Sequence, residues 1–416
     1  MTSPPVATIE EPPSVPDEAP WTTHAAELSI LFLCARTTRQ DQDARLRRLL
    51  RRDLDWGFLL TQAARHCLQP MVAHHLSRVA DEVPSDVRTA LEARRENVLG
   101  RNLHHLQGLL QVVETLEDED IPVLSFKGPL LAKRYYDNLG LRRFVDLDLL
   151  VPRVDLRRAD AILQADGFKA PSERPDGEVA RRIKQQVGVD LRRPKDGLRV
   201  ELHWALLNRS FAFPLDPEGL WARAQQCRIG STDVRMLGEE DRLLYLCAHG
   251  AKHHWARLKW LCDVAEVCRR ASTLDGEALI ERAVQLDLDR LLFLGLRLAK
   301  RWLDAPIPPA LHGRLRDDPT VSTLIRHVEA AWLFRVDGVD RTPRWDQLRF
   351  FLRTRRRWRN RWPLLREYGT LALTPTDNDR ALVDLPSALS PLYYLIRPFR
   401  LLRDGLLERE DATSAG

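Results

Sequence analysis

The stretch Ile121–Pro152, IPVLSFKGPLLAKRYYDNLGLRRFVDLDLLVP, constrains this chain more than any other. An apolar run, Val123 to Phe126, is bounded by Pro122 and by Lys127-Gly128, the pattern of a short buried strand that ends in a turn. Pro129 suits the first position of a helix, where a missing N–H costs nothing. Leu130, Leu131, Arg134 and Tyr135 continue at helical spacing. A second strand is predicted over Phe144 to Val151, with Asp146 and Asp148 alternating with Val145, Leu147 and Leu149. Period-two geometry puts both carboxylates on one face and the aliphatic side chains on the other. Two like charges on one strand face repel, so a shared cation is expected, and a divalent metal is the natural candidate.

A third carboxylate follows downstream. Val187, Val189 and Leu191 alternate in one predicted strand, Val200 and Leu202 in the next, and Pro194-Lys195-Asp196-Gly197 supplies the turn between them. Glu201 and His203 share the face opposite Val200 and Leu202. Hard carboxylate oxygens gathered from neighbouring strands suit Mg²⁺ or Mn²⁺, and such ions activate an attacking oxygen and stabilise a departing phosphate oxygen. A glycine at a strand-to-helix turn lets backbone N–H groups approach a phosphate. Alone, a D-x-D pair is more often a solvated strand face. The Lys-Gly turn before it and V-E-L-H after it favour the catalytic reading.

Helical periodicity fills the flanks. Residues 1–22 are rich in Pro and acidic side chains and read as a disordered tail. Residues 23–117 read as a helical domain, 118–237 as the mixed α/β core and 238–410 as a second helical domain. Asp155 to Asp166 is a predicted helix closed by Gly167, and Leu243 to Arg270 forms one long amphipathic pattern. In that pattern Lys252 and Lys259, seven apart, are expected on one helix face, as are Lys259 and Asp263, four apart. These lysines are candidates to close over a nucleotide, and His203 and Asp263 are candidates to support the site. His249 and His253 stand one turn apart, but Gly250 takes the place of the glutamate in H-E-x-x-H and no third zinc ligand is evident.

The 64 basic residues are 56 Arg and 8 Lys, so the few lysines draw attention at a phosphate site. A net charge of +5 over 416 residues does not point to a dedicated nucleic-acid binder. Arg353 to Arg361 holds six arginines in nine residues with Trp358 among them, the one stretch that suggests RNA. Six scattered cysteines without a C-x-x-C pair fit a reducing cytoplasm. No apolar run approaches the ~18 residues of a membrane span, and no Lys or Arg precedes Arg36 to form the basic region of a signal peptide.

Taken together, these motifs resemble the nucleotidyltransferase superfamily with the DNA polymerase β-type fold, and more narrowly the bacterial uncharacterised nucleotidyltransferase family. The resemblance is carried by F-K-G-P-L-L, R-x-x-x-D-L-D-L-L-V, V-E-L-H-W, L-C-A-H-G-A-K-H-H-W-A-R-L-K-W-L-C-D-V-A and the terminal Y-Y-L-I-R-P-F-R-L-L. It implies an α+β, helix-rich fold, a mixed-sheet nucleotidyltransferase core embedded between helical domains. It also implies Mg²⁺-dependent (or Mn²⁺-dependent) transfer of a nucleoside monophosphate from an NTP, with release of pyrophosphate. Carried over residue by residue, Asp146, Asp148 and Glu201 become metal ligands and catalytic carboxylates, and Lys127 and Gly128 fall at the phosphate turn. Lys127-Gly128 stands where the wider superfamily has Gly-Ser, and the spacing to Asp146 is longer. The acceptor is left open: small molecule, sugar, peptide or protein. A fold that binds nucleotide or a partner without turnover, or an RNA binder through Arg353 to Arg361, is the alternative.

Overall fold

The computed structural model describes residues 22–37, 41–136, 138–170, 188–206, 217–312, 318–330 and 344–374, with scattered positions between 383 and 400. The acidic tail before Thr22, Val187 and everything beyond Arg400 lie outside the described residues. The chain divides into two compact units, Met1–Asn208 with Phe213–Gly338, and Arg209–Ala212 with Val339–Gly416. It is helix-rich, 65% helical, with one six-stranded mixed sheet.

The first unit opens with helices α1 (Ala25–Cys34), α2 (Gln42–Leu50), α3 (Trp56–Arg65), α4 (Gln69–Ser77) and the 33-residue α5 (Ser85–Glu117). Strand β1 (Leu124–Ser125), helix α6 (Gly128–Tyr135), β2 (Leu147–Leu150) and α7 (Leu156–Ala165) follow. The sheet continues with β3 (Gly188–Arg192) and β4 (Arg199–His203), then α8 (Pro217–Ala222), β5 (Gln225–Ile229) and β6 (Thr232–Met236). The strand order is β3-β4-β2-β1-β6-β5. Pairs β4/β2 and β1/β6 are parallel and the other three antiparallel. Helix α5 lies along β6 and α7, α6 against β2, and α7 against β4. Leu109, Val112, Val113 and Leu116 of α5 and Leu147, Leu149, Val200 and Leu202 of the sheet are fully buried.

Sequence and structure differ at three places in this unit. The DxD strand is shorter than predicted: β2 begins at Leu147, Asp146 lies just before it, and Val145 is exposed. Strands β5 and β6 were not singled out in the sequence; they complete the far edge of the sheet. The third difference is the pattern from Leu243 to Arg270, which is two helices, α9 (Glu239–Lys252) and α10 (Leu258–Arg270). His254 and Trp255 between them adopt positive φ, 53° and 56°. The cause is a close approach. Trp255 is fully buried against Gly250, where an added Cβ would meet its ring at 2.3 Å. The Trp255 N–H also donates to the Gly250 carbonyl at 2.8 Å. Burial of Trp255 and Leu258 preserves the apolar rhythm across the break, so periodicity alone reads straight through it. Helices α9 and α10 pack on each other and on α12 (Asp289–Leu303), after α11 (Gly276–Gln285); α13 (Pro319–Val328) packs on α12.

In the second unit, α14 (Arg344–Thr354) packs on α15 (Trp358–Leu373), with Leu348, Phe350, Phe351 and Leu364 buried. The arginine-rich stretch spans the end of one helix, a connection and the start of the next. Arg355 is buried, and Arg361 donates to its carbonyl at 2.9 and 3.1 Å, so the six guanidinium groups do not form one stripe. Among the described residues, no helix is long and apolar enough to cross a membrane.

Candidate active site

The site grows out of strand register. Strands β2 and β4 run parallel with Asp148 opposite Glu201 and Leu150 opposite His203. Asp148, Glu201 and His203 therefore project from one face of the sheet. His203 Nε2 lies 3.2 Å from Glu201 Oε2 and 3.8 Å from Asp148 Oδ1. One ligand atom from each of the three falls within 4.8 Å of the others, the only group of three or more potential metal ligands among the described residues. Asp190 on β3, which the sequence reading passed over, registers with Glu201 from the other side and pairs with Arg199 at 3.1 Å.

Lys127 reaches the same point from the turn after β1. Its ammonium donates to Asp148 Oδ1 at 2.9 Å, with side chains only 16% and 5% exposed. It sits 5.5 Å from the ring centres of both Phe126 and Tyr245. Burial opposes the lysine's charge, but Asp148 and Tyr245 outweigh it and raise the pKa. Gly128 follows with φ +60°, and a Cβ there would meet the Asp146 carbonyl at 3.3 Å, so the turn is built for glycine. Arg142 Nη1 donates to the Gly128 carbonyl at 3.3 Å and holds the turn from behind.

Asp146, half-buried, lies in the same field. Burial, then the Asp148 and Glu201 carboxylates, push its pKa up, while Lys127 and Lys259 pull it down. Glu201 moves the other way, to about 2, chiefly through its hydrogen bond with His203. Lys252 and Lys259 do not share a helix face as the spacing predicted. Lys252 ends α9 and Lys259 lies in the first turn of α10, because the break at His254 and Trp255 reorients the chain between them. Both are nonetheless half-buried cations whose charge is felt there, that of Lys252 at Asp148 and Glu201 and that of Lys259 at Asp146. The Lys252 pKa is lowered by burial and Lys127 while Glu201 and Asp148 oppose this; that of Lys259 is lowered by burial and Arg142.

Asp263 belongs to a different arrangement. Arg142 grips it with two hydrogen bonds, 2.7 and 2.9 Å, and the Tyr136 hydroxyl donates to it at 2.7 Å. It acts on the site through Arg142 and the Gly128 turn and through its charge on Lys259. His249 and His253 enter a run of ring contacts. His249 stacks on Tyr245 at 5.6 Å and meets His253 at 4.7 Å, and His253 lies parallel to Trp260 at 4.9 Å. Tyr245 is the contact residue that sequence reasoning missed; on an apolar helix face it carries no motif.

A family model described as "Uncharacterised nucleotidyltransferase" matches residues 52–304, which include β1 to β6, the carboxylates, the Lys127-Gly128 turn and helices α9 and α10. No curated protein and no solved structure matches the chain significantly. The match covers more than half of the 416 residues, and the chain belongs to the uncharacterised nucleotidyltransferase family.

Proposed function

We propose that this protein transfers a nucleoside monophosphate from an NTP to an acceptor nucleophile in a reaction that depends on a divalent cation, Mg²⁺ or Mn²⁺. The observation that carries the reading is the register of Asp148 with Glu201 on adjacent parallel strands, with Asp146 just before β2 and Lys127 of the Lys127-Gly128 turn bonded to Asp148. The donor set fits such an ion. Asp148, Glu201 and His203 bring ligand atoms within 4.8 Å of one another, and the Asp146 pKa is raised first by burial and then by the Asp148 and Glu201 carboxylates. Asp146, Asp148 and Glu201 would hold the ion, which when bound neutralises phosphate charge and favours both the attacking and the departing oxygen.

The remaining roles belong to the chain itself. An acceptor oxygen forms a bond to the α-phosphorus as the bond from that phosphorus to the bridging β-phosphate oxygen breaks, and pyrophosphate leaves. The acceptor proton passes to a carboxylate, with Glu201 positioned to take it. Lys127 and the backbone at Gly128 receive the β- and γ-phosphates, where the N-terminus of α6 adds favourable polarity. Lys252 and Lys259, on separate helices, supply further positive charge to the triphosphate.

The test is a panel of NTPs with Mg²⁺ or Mn²⁺, following pyrophosphate release and transfer of an α-phosphate label, with and without cell extract as acceptor source. Cation-dependent release that disappears in Asp148→Asn and Glu201→Gln is the expected result. Absence of release under every condition, or release that persists in both variants, overturns the proposal.

A further inference from the structure

His203 adds an element that a purely carboxylate site lacks. We propose that His203 Nε2 is itself a ligand to the ion held by Asp148 and Glu201. This mixed nitrogen and oxygen set would select a first-row transition dication over Mg²⁺. The inference rests on the divalent site proposed above and specifies its chemistry.

The geometry brings Nε2 to both carboxylates, not to its hydrogen-bond partner Glu201 alone. Nε2 faces both carboxylates, 3.2 Å from Glu201 Oε2 and 3.8 Å from Asp148 Oδ1, so the nitrogen is directed at the space the two acids share. Period-two alternation on β4 fixes Glu201 and His203 on one face, and register with β2 brings Asp148 to them. The ring is also held in place. Phe126 meets it edge-on at 5.1 Å and 82°. Gly188 on the paired strand β3 lies against its other nitrogen, where an added Cβ would stand 3.1 Å from Nδ1. That packing holds the ring with Nε2 toward the carboxylates, while Nδ1 is buried without a hydrogen-bond partner among the described residues. Mg²⁺ prefers oxygen ligands and gives up its waters reluctantly, whereas transition dications accept imidazole readily.

Mn²⁺ is the probe, because its electron spin reports both affinity and the identity of bound nuclei. Titrating the whole protein with Mn²⁺ while following free Mn²⁺ by electron paramagnetic resonance gives the affinity, and Mg²⁺ competition gives the preference. Pulsed spectra of the bound ion should show a directly coordinated ¹⁴N, and protein grown with ¹⁵N-histidine should replace that signature. Wild-type protein should bind Mn²⁺ more tightly than Mg²⁺. His203→Ala should weaken Mn²⁺ by at least about 10-fold, abolish the nitrogen coupling and leave Mg²⁺ affinity little changed. The labelling experiment needs no variant, so it stands even if His203→Ala does not fold. Bound Mn²⁺ without nitrogen coupling, or unchanged Mn²⁺ affinity in a folded His203→Ala, overturns the ligand assignment while leaving the carboxylate site and the transferase reading in place. No binding of either ion overturns both.

Discussion

Two acidic clusters adjoin the Gly128 turn, and they are built on opposite principles. Around Asp263 the charges close. One carboxylate meets one guanidinium in a two-pronged contact, and the Tyr136 hydroxyl takes a further share of the same oxygen. Around Asp148 they do not close. Asp148 bonds Lys127, His203 stands against Asp148 and Glu201, and Asp146, Lys252 and Lys259 act on them through their charge. The first cluster is complete without a ligand. In the second, among the described residues, only Asp148 is directly bonded to a cation, which leaves carboxylate oxygens for a metal ion to neutralise. A carboxylate's burial therefore says little about its role; the number and kind of its partners decide it.

The largest effect should come from breaking the closed cluster. Asp263→Asn strands the Arg142 guanidinium, which is almost fully buried and has only a carbonyl, that of Gly128, as its other hydrogen-bond partner. A loss of about 3–5 kcal/mol in urea unfolding is expected. Asp148→Asn should lose less, because Lys127 retains the fields of Asp146 and Glu201, each of which interacts with it. If the two variants lose equal stability, the contrast between the clusters fails.

A smaller effect is expected at the turn that joins them. Gly128→Val must hold a branched side chain at φ +60° with its Cβ 3.3 Å from the Asp146 carbonyl. The backbone strain should cost about 1–2 kcal/mol. Nucleotide affinity should fall much further, since the turn that presents N–H groups to phosphate is displaced. Equilibrium binding of an NTP beside a melting curve separates the two, and unaltered affinity would count against the phosphate role.

The two clusters were not equally legible in the sequence. Asp146, Asp148, Glu201 and Gly128 are local: alternation and a turn residue announce them, and the register of β2 with β4 then follows from burying Leu147, Leu149, Val200 and Leu202 on one face. Arg142 and Asp263 are 121 residues apart, and no periodicity links them. The resemblance to a known family named the helix that carries Asp263 and, in R-x-x-x-D-L-D-L-L-V, Arg142, but it did not pair them. Lys252 and Lys259 show the opposite failure. A rule valid within one helix was applied across a break that only the approach of Trp255 to Gly250 reveals. Tyr245 had no signal, since a tyrosine on an apolar face looks like core until a lysine is found beside it.

The smallest effect, and the sharpest test of the open cluster, concerns the two carboxylates whose pKa values move apart. Asp146 is raised from its ordinary 3.8, first by burial and then by Asp148 and Glu201. Its ionised form is penalised in the folded state, so stability falls as pH rises through the interval between 3.8 and the raised value, and the penalty is complete above that value. Asp146→Asn should therefore abolish transfer while leaving stability at pH 7 in EDTA unchanged or raised by less than about 1 kcal/mol. That advantage should vanish as the pH drops below 3.8 and the wild-type carboxyl protonates. Glu201 is lowered from 4.5 to about 2, first by the His203 hydrogen bond, and the sign reverses. It contributes stability above pH 4.5 that is lost as pH falls toward 2, so Glu201→Gln should be the less stable protein at pH 7, with a deficit that closes on acidification. Urea unfolding of the two variants and the wild type from pH 2 to 7 reads both signs. Variants that shift stability in the same direction would mean that Asp146 is held by partners of its own. The open cluster would then be a second closed one.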